Sequence, residues 1–403
     1  MNEPKLRFKA DDGSQFPDWE EKKLGDITEK VVRKGANSNA DVRMISQGNG
    51  CILQSDKYSR ENAGQSLKKY TLLKRDEFAY NHGASKVKPY GVCYRLCESD
   101  EARVPYVYHT FKLIDGDSGF WNYSLNTSCM DRQLKKMVSS GARMDGLLNI
   151  GYDAYMSVNI HVPSLPEQQK IAEFLSTIDT VIRKQKETIS AWEVRKKGVM
   201  QKLFSQEVRF KADDGNEFPE WAEKKLGEVG DIMTGNTPST KQEDYYGGCY
   251  LWVTPADITD SREVSVTAKK LTELGYTVAR HIPANSVLVT CIASIGKNAI
   301  IRENGSCNQQ INSITPYNDY SVEFVYYLIC QNERLLHANA GTGGMEILNK
   351  DSFSKIKMYF PCFEEQQKIA DCLSSLDEVI AKQKATLAAW EELKKGLLQQ
   401  MFV

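Results

Sequence analysis

Two stretches of this 403-residue chain match in register without a gap, 198 positions apart. They are PSLPEQQKIAEFLSTIDTVIRKQKETISAWEVRKKGVMQKLF, from Pro163, and PCFEEQQKIADCLSSLDEVIAKQKATLAAWEELKKGLLQQMF, from Pro361. Apolar residues recur in the first at Ile171, Leu175, Ile178, Ile182, Ile189, Trp192, Val199 and Leu203. The second repeats the stripe at Ile369, Leu373, Leu376, Ile380, Leu387, Trp390, Leu397 and Met401. A three-to-four alternation sustained for about five heptads predicts a long helix with one buried seam. Ser164 followed by Glu167 suits a capping box, and Pro166 falls in the first turn, where its missing N–H costs nothing. At 1.5 Å per residue each helix would span roughly 60 Å.

The direction of packing follows from chain length. The segment between the helices leaves the first near Phe204 and must reach the start of the second near Pro361. Antiparallel helices make those ends neighbours, whereas a parallel pair would force that segment to span roughly 60 Å. The expected seam pairs Ile171, Ile178, Gln185 and Trp192 with Ile369, Leu376, Gln383 and Trp390. Gln185 and Gln383 interrupt the stripe near each midpoint, where facing polar residues can fix register. Trp192 is then expected near Leu376, and Trp390 near Ile178.

A second repeat opens each half. RFKADDGSQFPDWEEKKLGDI (Arg7 to Ile27) returns as RFKADDGNEFPEWAEKKLGEV (Arg209 to Val229), with 15 of 21 positions identical. The order is therefore segment, block, helix, twice over. The blocks, about 28–162 and 230–360, share almost no sequence until their last strand. There Tyr155, Val158, Ile160 and Val162 lead into Pro163, as Phe353, Ile356, Met358 and Phe360 lead into Pro361. Runs such as VRMIS, EFAYN, YGVCYRL, NSVLVTCI and INSITPY read as short strands, and SVEFVYYLICQNERLLHANA reads as helix. The expected fold is α+β: two α+β domains separated by a long antiparallel two-helix coiled coil, with a pseudo-twofold internal repeat. Its parts are 1–162, 163–206, 207–360 and 361–403.

Composition limits what the chain does. Net charge is −1, against a strong stand-alone nucleic-acid binder. Basic residues nevertheless crowd the first helix at Arg183, Lys184, Lys186, Arg195, Lys196, Lys197 and Lys202, either a solvated face or a contact for phosphates. No apolar run is long enough to cross a membrane, and the charged start MNEPKLRFKADDG lacks a signal core, so a cytoplasmic location is expected. The ten cysteines show no metal-site spacing and read as reduced thiols. There is no P-loop, no G-x-G-x-x-G after a strand, and no base-modifying signature. Five histidines lie far apart without an evident partner. Phe16 and Trp19 read as apolar anchors for chain entry rather than part of a nuclease site, since the second copy loses Asp18 and Glu20.

What remains is binding. Asn81-His82-Gly83-Ala84-Ser85-Lys86 in the first block answers Ala293-Ser294-Ile295-Gly296-Lys297-Asn298 in the second. Ser139-Ser140-Gly141-Ala142-Arg143 answers Asn339-Ala340-Gly341-Thr342-Gly343. Such loops let backbone approach phosphate while Lys, Arg, Asn and Gln reach base edges. The candidate DNA contacts are Lys86, Arg143, Lys297, Asn298, Gln309, Gln310 and Thr342.

The pattern resembles the specificity subunits of Type I restriction–modification systems. The resemblance covers the whole chain. It rests on PSLPEQQKIAEFLS and PCFEEQQKIADCLS, on the two FP-x-W…KLG segments, and on TGNTPST…YYGGCYLWVTPADI, IASIGKNAII and SCNQQINSITP. It implies two target-recognition domains, each reading one half of a split, asymmetric sequence in double-stranded DNA. It implies helices that act as ruler and docking surface for two methyltransferase subunits, joined by translocase–nuclease subunits for restriction. The chain itself would hold no cofactor and perform no catalysis; S-adenosylmethionine, ATP and magnesium would belong to the partners. The competing readings are a self-contained nuclease or methyltransferase and a duplicated structural adaptor without sequence preference.

Overall fold

The computed structural model describes residues 4–36, 38–46, 48, 50–57, 64–83, 88–138, 148–341 and 346–402. Lys86, Arg143 and Thr342 lie outside the described residues. The chain forms two units, Met1–Lys186 with Ala385–Val403, and Glu187–Lys384. Both unit boundaries fall inside the long helices, Leu165–Phe204 and Phe363–Met401. Among the described residues no helix is long and apolar enough to cross a membrane.

The helices run antiparallel within each unit. In the first, Asp179 pairs with Lys394 and Lys186 with Glu391; in the second, Lys196 pairs with Asp377 and Glu193 with Lys384. Moving forward on one helix moves backward on the other. This register corrects both expected tryptophan contacts. Trp192 precedes Glu193 and so lies nearer Lys384 than Leu376; Leu376 instead joins the core with Val199 and Met200. Arg195 covers the Trp192 ring at 5.2 Å. By the same token Trp390 precedes Glu391 and so lies nearer Lys186 than Ile178, although both pack on one core. The seam residues Ile171, Ile178 and Ile369 are buried, while Gln185 and Gln383 are half-buried.

Each helix begins on a buried carboxylate. Glu167 is fully buried and accepts from Arg7 Nε at 3.0 Å, Arg7 Nη2 at 2.8 Å and Trp19 Nε1 at 3.1 Å. Glu365 repeats this with Arg209 Nε at 3.1 Å, Arg209 Nη2 at 2.8 Å and Trp221 Nε1 at 3.2 Å. The capping box expected from Ser164 and Glu167 therefore does not form: Glu167 is committed elsewhere, and the buried Ser164 Oγ has no partner. The neighbouring Gln168 accepts from Asp117 N at 2.8 Å and donates to Pro163 O at 2.8 Å. Gln366 does the same with Ser321 N and Pro361 O, both at 3.0 Å. Lys170 and Lys368 fasten the opening segments through Lys9 O and Lys211 O, each at 2.8 Å. Every polar residue of Glu-Gln-x-Lys thus has the same task twice.

The residues held by the glutamines begin short helices that the sequence reading missed in the first block and merged into a longer one in the second. Asp117 caps Ser118–Ser124 and Ser321 caps Val322–Gln331. Phe120 from the first packs against Trp19 and Phe402, with centroids 6.0 and 5.4 Å away. Phe324 packs against Trp221 and Phe204 at 5.9 and 5.4 Å.

Each block hangs on this frame as a small sheet. In the first unit antiparallel strands lie in the order Thr28–Lys30, His109–Leu113, Phe78–Asn81, Val92–Arg95. The second unit has Gly230–Thr234, Ile311–Pro316, Ser286–Thr290 and Asn298–Ile301 in the same order, extended by Glu263–Val264. A two-stranded ribbon closes each unit, Glu20–Lys23 on Asn159–Val162 and Ala222–Lys225 on Lys357–Phe360. The last strands are shorter than alternation suggested. Tyr155 and Phe353 belong to one-turn helices, Tyr152–Met156 and Lys350–Lys355, the latter capped by Asn349, whose side chain accepts from Ser352 N at 2.8 Å.

Removing one partner of a buried ion pair strands the other charge, at a cost of about 3 kcal/mol or more. Glu167→Ala and Glu365→Ala should each lower stability by about 3 kcal/mol in urea unfolding, and Glu167→Gln by less. An unchanged midpoint for both alanine variants would mean that the Phe16 and Pro17 carbonyls, which Arg7 also reaches, satisfy the guanidinium alone.

Candidate nucleic-acid interface

In the second unit four loops are stitched together at the end of the sheet. Ser286–Thr290 runs into a turn that returns to Asn298–Ile301, closed by Thr290 N donating to Lys297 O at 2.8 Å and Gly296 N donating to Thr290 O at 3.0 Å. Cys291 is the hub. Its N–H donates to Gln310 O at 2.8 Å, and its carbonyl accepts from Leu348 N at 2.9 Å. Gly341 N donates to Ile347 O at 3.0 Å, closing the third loop. The fourth, within TGNTPST, enters at Gly235, where a Cβ would meet Cys307 O at 2.1 Å and Asn308 O at 2.5 Å. Only glycine fits there.

This stitching brings together several residues singled out in the sequence. Lys297 and Gln309 are exposed, and Gln310 is half-buried. Gln309 Oε1 accepts from Thr237 Oγ1, and Gln310 Oε1 accepts from Asn308 Nδ2 at 3.1 Å. Two further residues join them. Arg280 N donates to Asn236 Oδ1 at 2.6 Å, and its guanidinium donates to Thr234 O at 2.7 Å, which places Arg280 and Thr237 at the same edge. Their signal was the polar Thr-Gly-Asn-Thr run, readable only once Gly235 is seen to press it against residues 307–308.

Asn298 does not belong to this surface. It opens a strand whose residues are all buried, is 7% exposed itself, and its Oδ1 accepts from Cys330 Sγ. The hub thiol is not a nucleophile either: burial pushes Cys291 up to about 11, so it stays protonated near neutrality.

The first unit builds the same edge with different chemistry. Leu148 N donates to His82 O at 2.9 Å, as Leu348 N does to Cys291 O. Both ring nitrogens of His82 face carbonyls, Leu148 O and Val107 O, each at 2.9 Å. His109 Nε2 faces Ile150 O at 2.8 Å, and its ring stacks on His82 with centroids 4.9 Å apart. Burial lowers the His109 pKa, favouring the neutral ring. Two histidines distant in sequence are thus partners, brought together by adjacent strands. The helix Ser128–Met137, leading toward residues 139–147, exposes Arg132, Lys135 and Lys136, basic residues that the sequence reading did not single out.

The basic crowd on the first long helix is partly committed to the protein itself. Lys186, Lys196 and Lys202 pair with Glu391, Asp377 and Glu207.

Residues 219–389 match the family described as the Type I restriction modification DNA specificity domain. Over 211 residues the chain is 32% identical to the Type I restriction enzyme MjaIX specificity subunit of Methanocaldococcus jannaschii, covering 50% of this chain and 48% of that one. It is 33% identical over 150 residues to the HindI specificity subunit of Haemophilus influenzae, covering 36% and 32%. The chain thus spans half the length or less of these two relatives. The crystal structure of a Type-I restriction-modification system S subunit from M. genitalium aligns over 100% of this chain and 99% of its own. Its TM-score is 0.58 at 14% identity, which shows a shared fold.

If this edge faces DNA, Lys297→Ala should weaken binding alike on all sequences and reduce the salt slope by about 1. Gln309→Ala should instead erode discrimination, by about 1–3 kcal/mol if the amide reads a base in bidentate fashion. Anisotropy titrations of the assembled complex at several salt concentrations, on cognate and scrambled duplexes, separate the two. Unchanged affinity and slope in both variants would take these residues off the interface.

Proposed function

We propose that this chain is the non-catalytic sequence-specificity subunit of a Type I restriction–modification complex. Each block reads one half of a bipartite, asymmetric DNA target, while the long helices set the spacing and dock two methyltransferase subunits. The observation that carries this reading is the pairing of one frame with two unlike blocks. Glu167 and Glu365, Gln168 and Gln366, and Lys170 and Lys368 make the same bonds. The blocks they hold differ in nearly every residue, yet both keep the same four-strand order and the same backbone bond at its edge, Leu148 N to His82 O and Leu348 N to Cys291 O. Such an arrangement lets the reading surface vary while its mounting stays constant. The names of the relatives point the same way.

Chemistry in this reading belongs to the partners. Methyltransferase subunits would use S-adenosylmethionine on adenine, and translocase–nuclease subunits would use ATP and magnesium. The gathered loops offer amides, hydroxyls, an ammonium and a guanidinium, groups suited to phosphate and base-edge contact.

Replacing residues 28–162 by the corresponding block of another specificity subunit should change one half of the methylated motif and leave the other half and the spacing intact. Methylation mapping in cells carrying the partner subunits reads this directly. A swap that altered both half-sites would overturn the modular reading. A complex with no sequence preference in competition binding would favour the adaptor.

A further inference from the structure

Each block is fastened to the long helices at a second point, one helical turn beyond its phenylalanine. Tyr123 OH donates to Asp179 Oδ2 at 2.7 Å. Lys394 Nζ donates to the other oxygen of that carboxylate at 2.5 Å and lies 5.3 Å from the Tyr123 ring centroid. In the second unit Tyr327 OH donates to Asp377 Oδ2 at 2.6 Å, and Lys196 Nζ donates to Oδ1 at 2.6 Å, 5.2 Å from the Tyr327 ring centroid. The aspartates and lysines occupy equal positions of the helix repeat, so their pairing repeats as the helices do. The tyrosines do not. They come from blocks without evident sequence similarity, on helices of 7 and 10 residues.

What those two helices share is a spacing: Asp117, Phe120, Tyr123 in one and Ser321, Phe324, Tyr327 in the other. Residues three apart lie on one face of a helix, separated by a rise of about 4.5 Å. The glutamine at the cap and the phenylalanine both hold the first turn of the helix; an anchor one turn further on the same face fixes its direction. An exposed ion pair would do this poorly. Here one carboxylate takes a phenol and an ammonium together, and the lysine comes from the opposite helix, so each tyrosine is tied to both helices at once. Burial and the facing carboxylate push both phenols up, which keeps each hydroxyl a donor.

We propose that Tyr123–Asp179–Lys394 and Tyr327–Asp377–Lys196 are positioning residues that hold each recognition block at one angle on the helices, and thereby restrict the complex to a single spacing between its half-sites. The proposal rests on the specificity-subunit reading. The triads touch no base; they act through the blocks they hold.

The test uses the native chain and the variants Tyr123→Phe, Tyr327→Phe and Asp179→Asn, each assembled with its partner subunits. Methylation is measured on DNA carrying the mapped half-sites at the native spacing and at one base pair more or less. Tyr→Phe keeps the ring and its stacked lysine, so those two variants carry the test should Asp179→Asn fail to assemble. The expected result is unchanged bases at both half-sites, with methylation at the off-length spacings rising about tenfold relative to the native chain. Lys394→Arg, which keeps the charge, should hold the native spacing. Lowered thermal stability with strict spacing retained, or a change in the bases read, would overturn the inference. A native chain that yields no bipartite motif would instead sink the specificity reading, and this inference with it.

Discussion

The frame depends on a carboxylate that water does not reach. A buried charge is costly unless it is paired and fully hydrogen-bonded, and Glu167 meets that requirement with two guanidinium donors and an indole. Its place in the first turn of a long helix adds the favourable end of the helix dipole. The pair is best understood as a device for specificity rather than net stability. A hydrophobic trio could fill the same volume, but it would not dictate which arginine and which tryptophan dock there. Arg7 also donates to Phe16 O and Pro17 O, so one guanidinium fixes both the helix start and the path of the opening segment. Glu365 and Arg209 do the same.

From this the legibility of the chain follows. Long helices announce themselves because a seam of Ile and Leu must recur with the helical period, and the two copies reinforce one another. Antiparallel packing was accessible from chain length alone. Register was not: it is set by Asp179 with Lys394 and Asp377 with Lys196, surface-looking charges whose partners are more than 180 residues away. The Ser164–Glu167 pattern misled for a related reason. A local rule assigned Glu167 to its own helix start, and tertiary partners claimed it.

The blocks hid their kinship for a different reason. Their common elements are a capping side chain, a phenylalanine and a tyrosine, three residues among more than a hundred. A glutamine needs only a backbone N–H, so Asp117 and Ser321 serve equally, since each also accepts from the N–H three residues on. Side chains elsewhere are free to differ so long as strands of the same order reach the frame. Sequence comparison sees the freedom; the contacts show the constraint. The candidate interface was legible in part, because Lys297, Gln309 and Gln310 sit in polar turns. Asn298 was misplaced because one residue separates an exposed turn from a buried strand, and alternation cannot locate that step.

The two edges show where the frame stops dictating. Both units fasten the base of the loop after the sheet to the end of the same strand, through Leu148 N on His82 O and Leu348 N on Cys291 O. The return bond differs. In one unit His82 faces Leu148 O; in the other Asn312 Nδ2 donates to Leu348 O at 2.8 Å. An imidazole and a carboxamide are equivalent here only as donors to a carbonyl, so the fold requires the bond and leaves the group open. Exposed side chains at this edge, such as Lys297, take no part in that bond. Residues there can be chosen for what they touch outside the protein, which is the condition a reading surface needs if it is to change without unfolding the chain that carries it.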